Sequence, residues 1–521
     1  MLLHHFLEES SQKYPQKTAV VHRGERWTYQ QIDQKANRVA TLLRMQGIRR
    51  GDRVAVFLDN SIEAVVSLFG ILKADAVFLM LSPLLKAGKL GYILNDCQVK
   101  GIISETRKLS NPEILHSVPG LKFIVLVGDN KGFPSSMFPG LISWDEIDSL
   151  SLTSVGRIQN SNIDLDLATI IYTSGSTGNP KGVMLTHLNM ISAATSITTY
   201  LENVPEDIIL NVLPLSFDYG LYQVLMAFKF GGTVVLEKSF AYPYEIIKQM
   251  VKERVTGFPG VPTVFAILLQ MEDLKKYDLK SLRYISNTAA SLPVRHIRQL
   301  REIFPHAKLY SMYGLTECKR VSYLPPGELD RRPDSVGKGM PNEEVWIVDA
   351  QGHRMGPGII GELVVRGSNV MRGYWGDSEA TERVLKPGIL PGEKVLYTGD
   401  LFRMDEEGFL YFVGRKDDMI KTRGERVSPK EVENAIHGME GVAEVAVIPV
   451  PDEILGQAIK AFIVPKKDVN LKEKDLLLYC KKMLEEFAIP KYFEFRSSFP
   501  RTSSGKIDKL TLKQENKVNR T

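Results

Sequence analysis

Between positions 172 and 182 the chain reads Tyr172-Thr173-Ser174-Gly175-Ser176-Thr177-Gly178-Asn179-Pro180-Lys181-Gly182. Glycines at this density let a backbone approach an anion closely. Thr173, Ser174, Ser176 and Thr177 bring four hydroxyl donors, and Lys181 adds a positive charge. The strand-like run Ala168 to Ile171 comes immediately before, and the segment ends Pro-Lys-Gly, so it reads as a phosphate-binding loop and not as a flexible Ser/Gly linker. It differs from the Gly-x-x-x-x-Gly-Lys-Ser/Thr nucleotide loop, because no Ser or Thr follows a Gly-Lys pair here.

Further chemistry-bearing segments follow along the chain. They are Leu213-Pro214-Leu215-Ser216-Phe217-Asp218, Asn287-Thr288-Ala289-Ala290, Tyr313-Gly314-Leu315-Thr316-Glu317 and Gly361-Glu362-Leu363. Then come Tyr397-Thr398-Gly399-Asp400-Leu401, Gly414-Arg415-Lys416-Asp417 and Pro500-Arg501-Thr502-Ser503-Ser504-Gly505-Lys506. In this order the set resembles the superfamily of acyl-CoA synthetases, peptide-synthetase adenylation domains and firefly luciferases. The resemblance implies a ligase that uses ATP to activate a carboxylic acid as an acyl-adenylate, then passes the acyl group to a phosphopantetheine thiol.

Joining a carboxylate to the α-phosphate brings two anions together, so such a site must place positive charge and fixed donors where charge develops at phosphorus. The resemblance gives that role to Lys506, on a loop whose Ser503-Ser504-Gly505 can swing the ammonium into place. Thr316 is suited to donate to the α-phosphate, and Glu317 is a hard oxygen ligand for Mg²⁺ bridging phosphate oxygens. By resemblance Asn287, Thr288 and Ala289 belong to the nucleotide site and Tyr313 stacks on adenine. Two oxygens of Asp400 can accept from the vicinal ribose hydroxyls, with Arg415 in support. The same resemblance makes Asp417 the hinge about which a C-terminal domain rotates between half-reactions, and Gly424 the narrow passage for a pantetheine arm.

Which acid is activated turns on Phe217-Asp218. In amino-acid adenylation domains an aspartate here holds the substrate ammonium, and a buried carboxylate needs a cation; an Asp capping a helix over Tyr219 to Phe228 is the alternative. By resemblance the rest of the acyl pocket draws on Tyr219, Tyr222, Pro259, Ile285, Met312, Arg320 and Val321, bulky side chains that leave little room for a long alkyl chain. The reading favoured on these residues is a small amino acid such as proline, loaded onto a phosphopantetheinylated carrier protein supplied in trans, as stand-alone amino-acid adenylating enzymes do. The alternatives are a fatty or aryl acyl-CoA ligase using coenzyme A and a non-enzymatic adenylate-binding relative.

The elements that must position these residues follow from periodicity. Ile32, Ala36, Val39, Ala40 and Leu43 recur at helical spacing before Gly47, and Arg53 to Leu58 reads as a buried strand. Helix then strand recurs at Glu63 to Leu72 with Ala76 to Leu81, and at Tyr244 to Glu253 with Val255 to Phe258, which predicts α/β architecture with helix-covered parallel sheets. A small β-rich lobe is expected from about Gly358 to Val413. A small mobile α+β domain then follows, with strands at Val442 to Val450 and Ala458 to Val464 and a helix at Lys474 to Phe487. The expected division is 1–415 for the adenylation core and 416–521 for the domain carrying Lys506.

At 521 residues the chain exceeds one hydrophobic core. Its 66 basic and 61 acidic residues leave only +5, without the clustered basic surface that nucleic-acid binding needs. Cys97, Cys318 and Cys480 offer neither a disulfide framework nor zinc-ligand spacing, so a cytoplasmic enzyme is expected. The most apolar stretch, Ala64 to Leu85, is broken by Lys73 and Asp75 and reads as buried helix and strand, not as a membrane span.

Overall fold

Helix Tyr29–Met45 begins at Thr28, whose hydroxyl accepts from the Gln31 N–H while the Gln31 side chain accepts from the Thr28 N–H. Its apolar stripe, Ile32, Ala36, Val39, Ala40 and Leu43, is buried, and it packs on helix Ile62–Lys73, which is buried on nearly every face. Lys73 at the end of that helix is buried with Glu8 at 2.9 Å and Asp33 at 2.7 Å, which answers the charge in the apolar stretch.

The computed structural model describes residues 1–521 apart from 110–112, 130–132, 134–139, 151–160, 174–179, 291, 417, 423–424, 453–454, 468, 503–504 and 519–521. Among the described residues the strands form four sheets. In the first, Leu167–Thr173, Val77–Met80, Arg53–Phe57, Gly101–Glu105, Phe123–Val127 and Leu141–Ser143 run parallel. Strand Lys181–Thr186 turns back antiparallel on Leu167–Thr173. In the second, Lys308–Tyr313, Tyr284–Asn287, Gly257–Gly260, Ile208–Asn211, Thr233–Leu236 and Thr18–His22 are parallel, with antiparallel strands at both edges. Both sheets share one continuous apolar core.

The third sheet is antiparallel, Glu343–Val348, Ile360–Gly367, Lys394–Met404 and Leu385–Pro387, with Leu410–Arg415 beside Leu385–Pro387 along the same edge of Lys394–Met404. The fourth belongs to the smaller C-terminal domain and joins Ile420–Thr422, Glu425–Val427, Gly456–Pro465, Val442–Asp452 and Tyr492–Phe495. It has apolar clusters of its own. The architecture is thus a large N-terminal α/β domain and a smaller, more β-rich C-terminal one. Expected and observed bounds differ by a residue or two at several elements and most at two: the strand expected at Val255 to Phe258 is Gly257–Gly260, and the helix expected through Phe487 ends at Met483. Among the described residues no helix is long and apolar enough to cross a membrane.

Candidate active site

Parallel strands deliver their C-terminal ends to one edge of a sheet, where ligands of open α/β folds bind. Thr173 closes Leu167–Thr173, Asn287 closes Tyr284–Asn287, and Tyr313 closes Lys308–Tyr313, so three of the expected nucleotide segments leave strand ends. Ser174, Gly175, Ser176, Thr177 and Gly178 of the phosphate loop lie outside the described residues, as do Asp417 and Gly424. Lys181, just past the loop, has its ammonium 5.3 Å from the centre of the Tyr374 ring and 3.8 Å from Asp377.

Tyr374 ties this lysine to the acidic group opposite, because its hydroxyl donates to Glu317 Oε1 at 2.8 Å. Glu317 follows Thr316 in the turn after Lys308–Tyr313, and burial raises its pKa, opposed by the Tyr374 hydrogen bond and by Arg415. Tyr313 donates its hydroxyl to Asp400 Oδ2 at 2.6 Å, while its ring meets Phe402 edge-on at 4.8 Å. Asp400 is 3.4 Å from Arg415 through Oδ1, an oxygen that is buried with no hydrogen-bond partner among the described residues. Burial raises the Asp400 pKa against the pull of Arg415.

The backbone that presents Asp400 is fixed by Glu362, whose Oε1 accepts from the Gly399 N–H at 2.9 Å and whose Oε2 pairs with Lys416 at 2.9 Å. Gly399 has φ +70°, a conformation that disfavours any residue with a Cβ. Asn287 is buried, donates Nδ2 to the Ala290 carbonyl at 3.0 Å and leaves Oδ1 unpartnered among the described residues; Thr288 is buried behind it and Ala289 has φ +75°. Two orphaned buried acceptors, Asn287 Oδ1 and Asp400 Oδ1, suit the exocyclic amine and ribose hydroxyls of an adenine nucleotide.

Lys506 arrives from the other domain. Arg501 and Ile507 pair across a short turn, Thr502 N–H donates to the Lys506 carbonyl at 2.8 Å, and Gly505 takes φ +80°. Arg501 links the turn to Glu444 of its own domain at 2.6 Å and to Thr263 of the large one at 3.0 Å; Thr263 also donates to the Gly505 carbonyl at 3.1 Å. Lys506 keeps solvent contact, yet the protein crowded about its ammonium lowers its pKa, opposed by the fields of Asp218, Asp400 and Glu317 and reinforced by Arg415. The Lys506 ammonium therefore lies within the fields of Asp218, Asp400, Glu317 and Arg415 of the large domain.

A second contact between the domains sits at His296 and His437, whose rings meet edge-on at 5.3 Å. Burial lowers both imidazoles from 6.5 to about 4, reinforced at His296 by His437, at His437 by Lys430, and at both by Arg295 and Lys466. A depressed imidazole favours the docked arrangement above pH 6.5 and opposes it as pH falls from 6.5 towards 4, where undocked histidines bind protons first. Pyrophosphate exchange should therefore decline across that window. The His296→Phe/His437→Phe double variant, which keeps the rings without their protons, should hold activity to lower pH; superimposable acid limbs would remove the pair from this account.

The acyl-pocket residues gather around helix Asp218–Phe230. Phe217 is its N-cap, and Asp218 occupies the first turn without making a capping bond. The Tyr219 hydroxyl bonds Ser286 (2.9 Å to the carbonyl, 2.8 Å to Oγ), with Phe217 edge-on to its ring at 6.3 Å. Pro259 and Ile285 lie buried on adjacent strands, Tyr222 and Val321 are buried, and Met312 Sδ accepts from Tyr200 at 3.1 Å. Asp218 corrects the sequence reading. Its carboxylate is 3.5 Å from the ammonium of Lys319, a buried residue that also sits 4.4 Å over the Tyr222 ring and 5.5 Å over Tyr219. Burial lowers Lys319 to about 7 against the raising effect of Asp218. The cation that Asp218 requires is supplied by the chain itself, and the carboxylate neither caps the helix nor waits for a substrate ammonium.

Lys319 escaped sequence reading although it directly precedes Arg320; only its left-handed backbone, φ 67°, turns it towards Asp218. Tyr374 and Thr263 escaped because they are brought to the site from distant positions, and Glu362, although part of the Gly361-Glu362-Leu363 segment, carries no role that its sequence neighbours disclose.

A two-domain fold that gathers Thr173, Asn287 and Tyr313 at strand ends and brings Lys506 from the second domain is the arrangement of an adenylate-forming ligase. The chain belongs to the AMP-binding enzyme family: that family's pattern matches residues 7–375, and the AMP-binding enzyme C-terminal domain matches 431–506. It is 33% identical to a long-chain-fatty-acid–CoA ligase of Bacillus subtilis over 99% of this chain and 95% of that one. Among solved structures, the anthranilate CoA ligase AuaEII bound to anthranoyl-AMP superposes with TM-score 0.90 at 27% identity, covering 100% of this chain and 98% of that one. ATP-bound MatB of Rhodopseudomonas palustris gives 0.88 at 28%, covering 99% of each. The enzyme is an ATP-dependent, AMP-forming acid–thiol ligase. The first two of these, named as CoA ligases and matched over nearly their whole length, overturn the expected amino-acid specificity and carrier-protein loading, in line with the Lys319 partner of Asp218.

Proposed function

We propose that this enzyme joins a carboxylic acid of the fatty or aryl class to coenzyme A through an acyl-adenylate. The observation that carries the reading is its full-length likeness to CoA ligases, together with an acyl pocket whose one acidic side chain named for substrate binding is already paired within the protein. In the first half-reaction a carboxylate oxygen attacks the α-phosphorus of ATP and pyrophosphate leaves; in the second a thiol sulfur attacks the acyl carbon and AMP leaves.

Lys506 and Thr316 serve the crowded anions of the first step, and Asp400 and Asn287 hold ribose and base. Thr173, Lys181 and the intervening loop take the phosphates. The Glu317 carboxylate is the hard oxygen ligand that would hold Mg²⁺, which when bound neutralises phosphate charge. Residues 1–415 and 416–521 are read as two bodies that rotate about Asp417 between the steps, the arrangement described above being the one that presents Lys506.

The reading is tested by following AMP release with ATP, coenzyme A and a panel of fatty, aryl and amino acids. Coenzyme A thioesters should form without any carrier protein. Exchange driven by amino acids alone, with no coenzyme A product from any acid, would overturn it.

A further inference from the structure

Arg320 is one of the largest side chains that the fold buries completely, at 1% exposure. All three of its guanidinium nitrogens lack a hydrogen-bond partner among the described residues. Its backbone is anchored, N–H to the Cys318 carbonyl at 2.9 Å and carbonyl to Asn369 Nδ2 at 3.1 Å, so the buried position of the side chain follows from a fixed main chain. The guanidinium stands 5.0 Å from the centre of the Tyr219 ring, in the group of residues expected to line the acyl pocket.

The nearby carboxylate that could neutralise it does not. Asp218 pairs with Lys319 at 3.5 Å, and the Tyr219 hydroxyl is committed to Ser286. Among the described residues expected to line the pocket, taken with Lys319, two cations, Lys319 and Arg320, thus stand against one carboxylate, Asp218. A guanidinium cannot shed its charge by losing a proton, and a buried cation without an anion is strongly unfavourable. Its planar fork matches a carboxylate with two parallel hydrogen bonds.

We infer that the acid activated by this enzyme carries a second carboxylate, received by Arg320, so that the substrate is a short dicarboxylic acid, aliphatic or aromatic. This rests on the acid–CoA ligase reading and narrows its aliphatic and aryl acids to short ones that bear a second carboxylate. The two carboxylates meet different cations, the reacting one Lys506 and the other the fully buried Arg320. The bulk of Tyr219, Tyr222 and Arg320 itself keeps the acid short. A neutral chain end would leave Arg320 unpaired, the circumstance in which a polar site rejects an analogue by on the order of 10⁴-fold.

The test is pyrophosphate exchange with matched pairs: succinate and butyrate, glutarate and valerate, isophthalate and benzoate. At least one dicarboxylic acid should exceed its monocarboxylic match in kcat/KM by about 10²-fold or more. In Arg320→Met that ratio should collapse, with the monocarboxylic acid gaining, and Arg320→Lys should restore part of it. A thermal melt with and without ATP checks that each variant folds; should Arg320→Met not fold, the wild-type ratios decide. Exchange driven by monocarboxylic acids in preference to their matches overturns the inference and leaves the ligase function standing. An equal loss of both acids in a folded Arg320→Met variant overturns it too, and exchange with no carboxylic acid at all overturns both readings.

Discussion

Lys506→Ala is expected to lower acid-dependent pyrophosphate exchange by about 10²–10³-fold, the usual loss when one fixed donor to developing charge is removed, while transfer from a supplied acyl-adenylate to coenzyme A stays near the wild-type rate. The asymmetry follows from where the charge lies. Forming the adenylate forces a carboxylate against a phosphate, and the Lys506 ammonium stands within the fields of Asp218, Asp400, Glu317 and Arg415. In the second step the phosphorus undergoes no change and the sulfur attacks carbon, so the lysine has no comparable charge to meet. Arg501 and Thr263 hold the turn from both domains, and their contacts survive truncation of the lysine side chain. Rapid-quench measurement of the two half-reactions separately decides the matter: equal losses in both would show that Lys506 supports the fold of the site and not the first step.

The second large effect concerns stability. Lys319→Met should destabilise the protein by about 3–5 kcal/mol, because it strands the buried Asp218 carboxylate without its cation. Asp218→Asn should cost less: Lys319 already titrates near 7 in its buried setting, so an ammonium left alone there loses its proton near neutral pH. The Lys319→Met/Asp218→Asn double variant should recover much of the loss of the single lysine replacement, since neither charge then remains. Denaturant unfolding of the four proteins closes the cycle. A Lys319→Met loss below about 1 kcal/mol, the scale of an exposed pair, would mean that Asp218 does not depend on Lys319. That outcome would reopen the question of what neutralises it.

Much of this enzyme is legible in its sequence. The Tyr172 to Gly182 run carries its chemistry in consecutive residues, and a helix such as Tyr29–Met45 carries its cap and buried stripe within seventeen. Local spacing sets such features because the interactions that define them span four residues or fewer. The reaction class was legible for the same reason, through motifs whose side chains sit near their own glycines and strand ends.

What tertiary structure alone decided is the partner of each charge. Asp218 and Lys319 are a hundred residues apart, as are Glu317 and Tyr374 to a lesser degree, and no spacing rule joins them; a strand crossover and one left-handed residue do. A buried carboxylate requires a cation, and that much follows from composition and burial. Whether the cation comes with the substrate or from the chain depends on which side chains converge within a few ångströms, because the energy of an ion pair falls with distance and with the solvent admitted between its members. Here the chain supplied the cation for Asp218 and left the buried Arg320 guanidinium without a hydrogen-bond partner among the described residues.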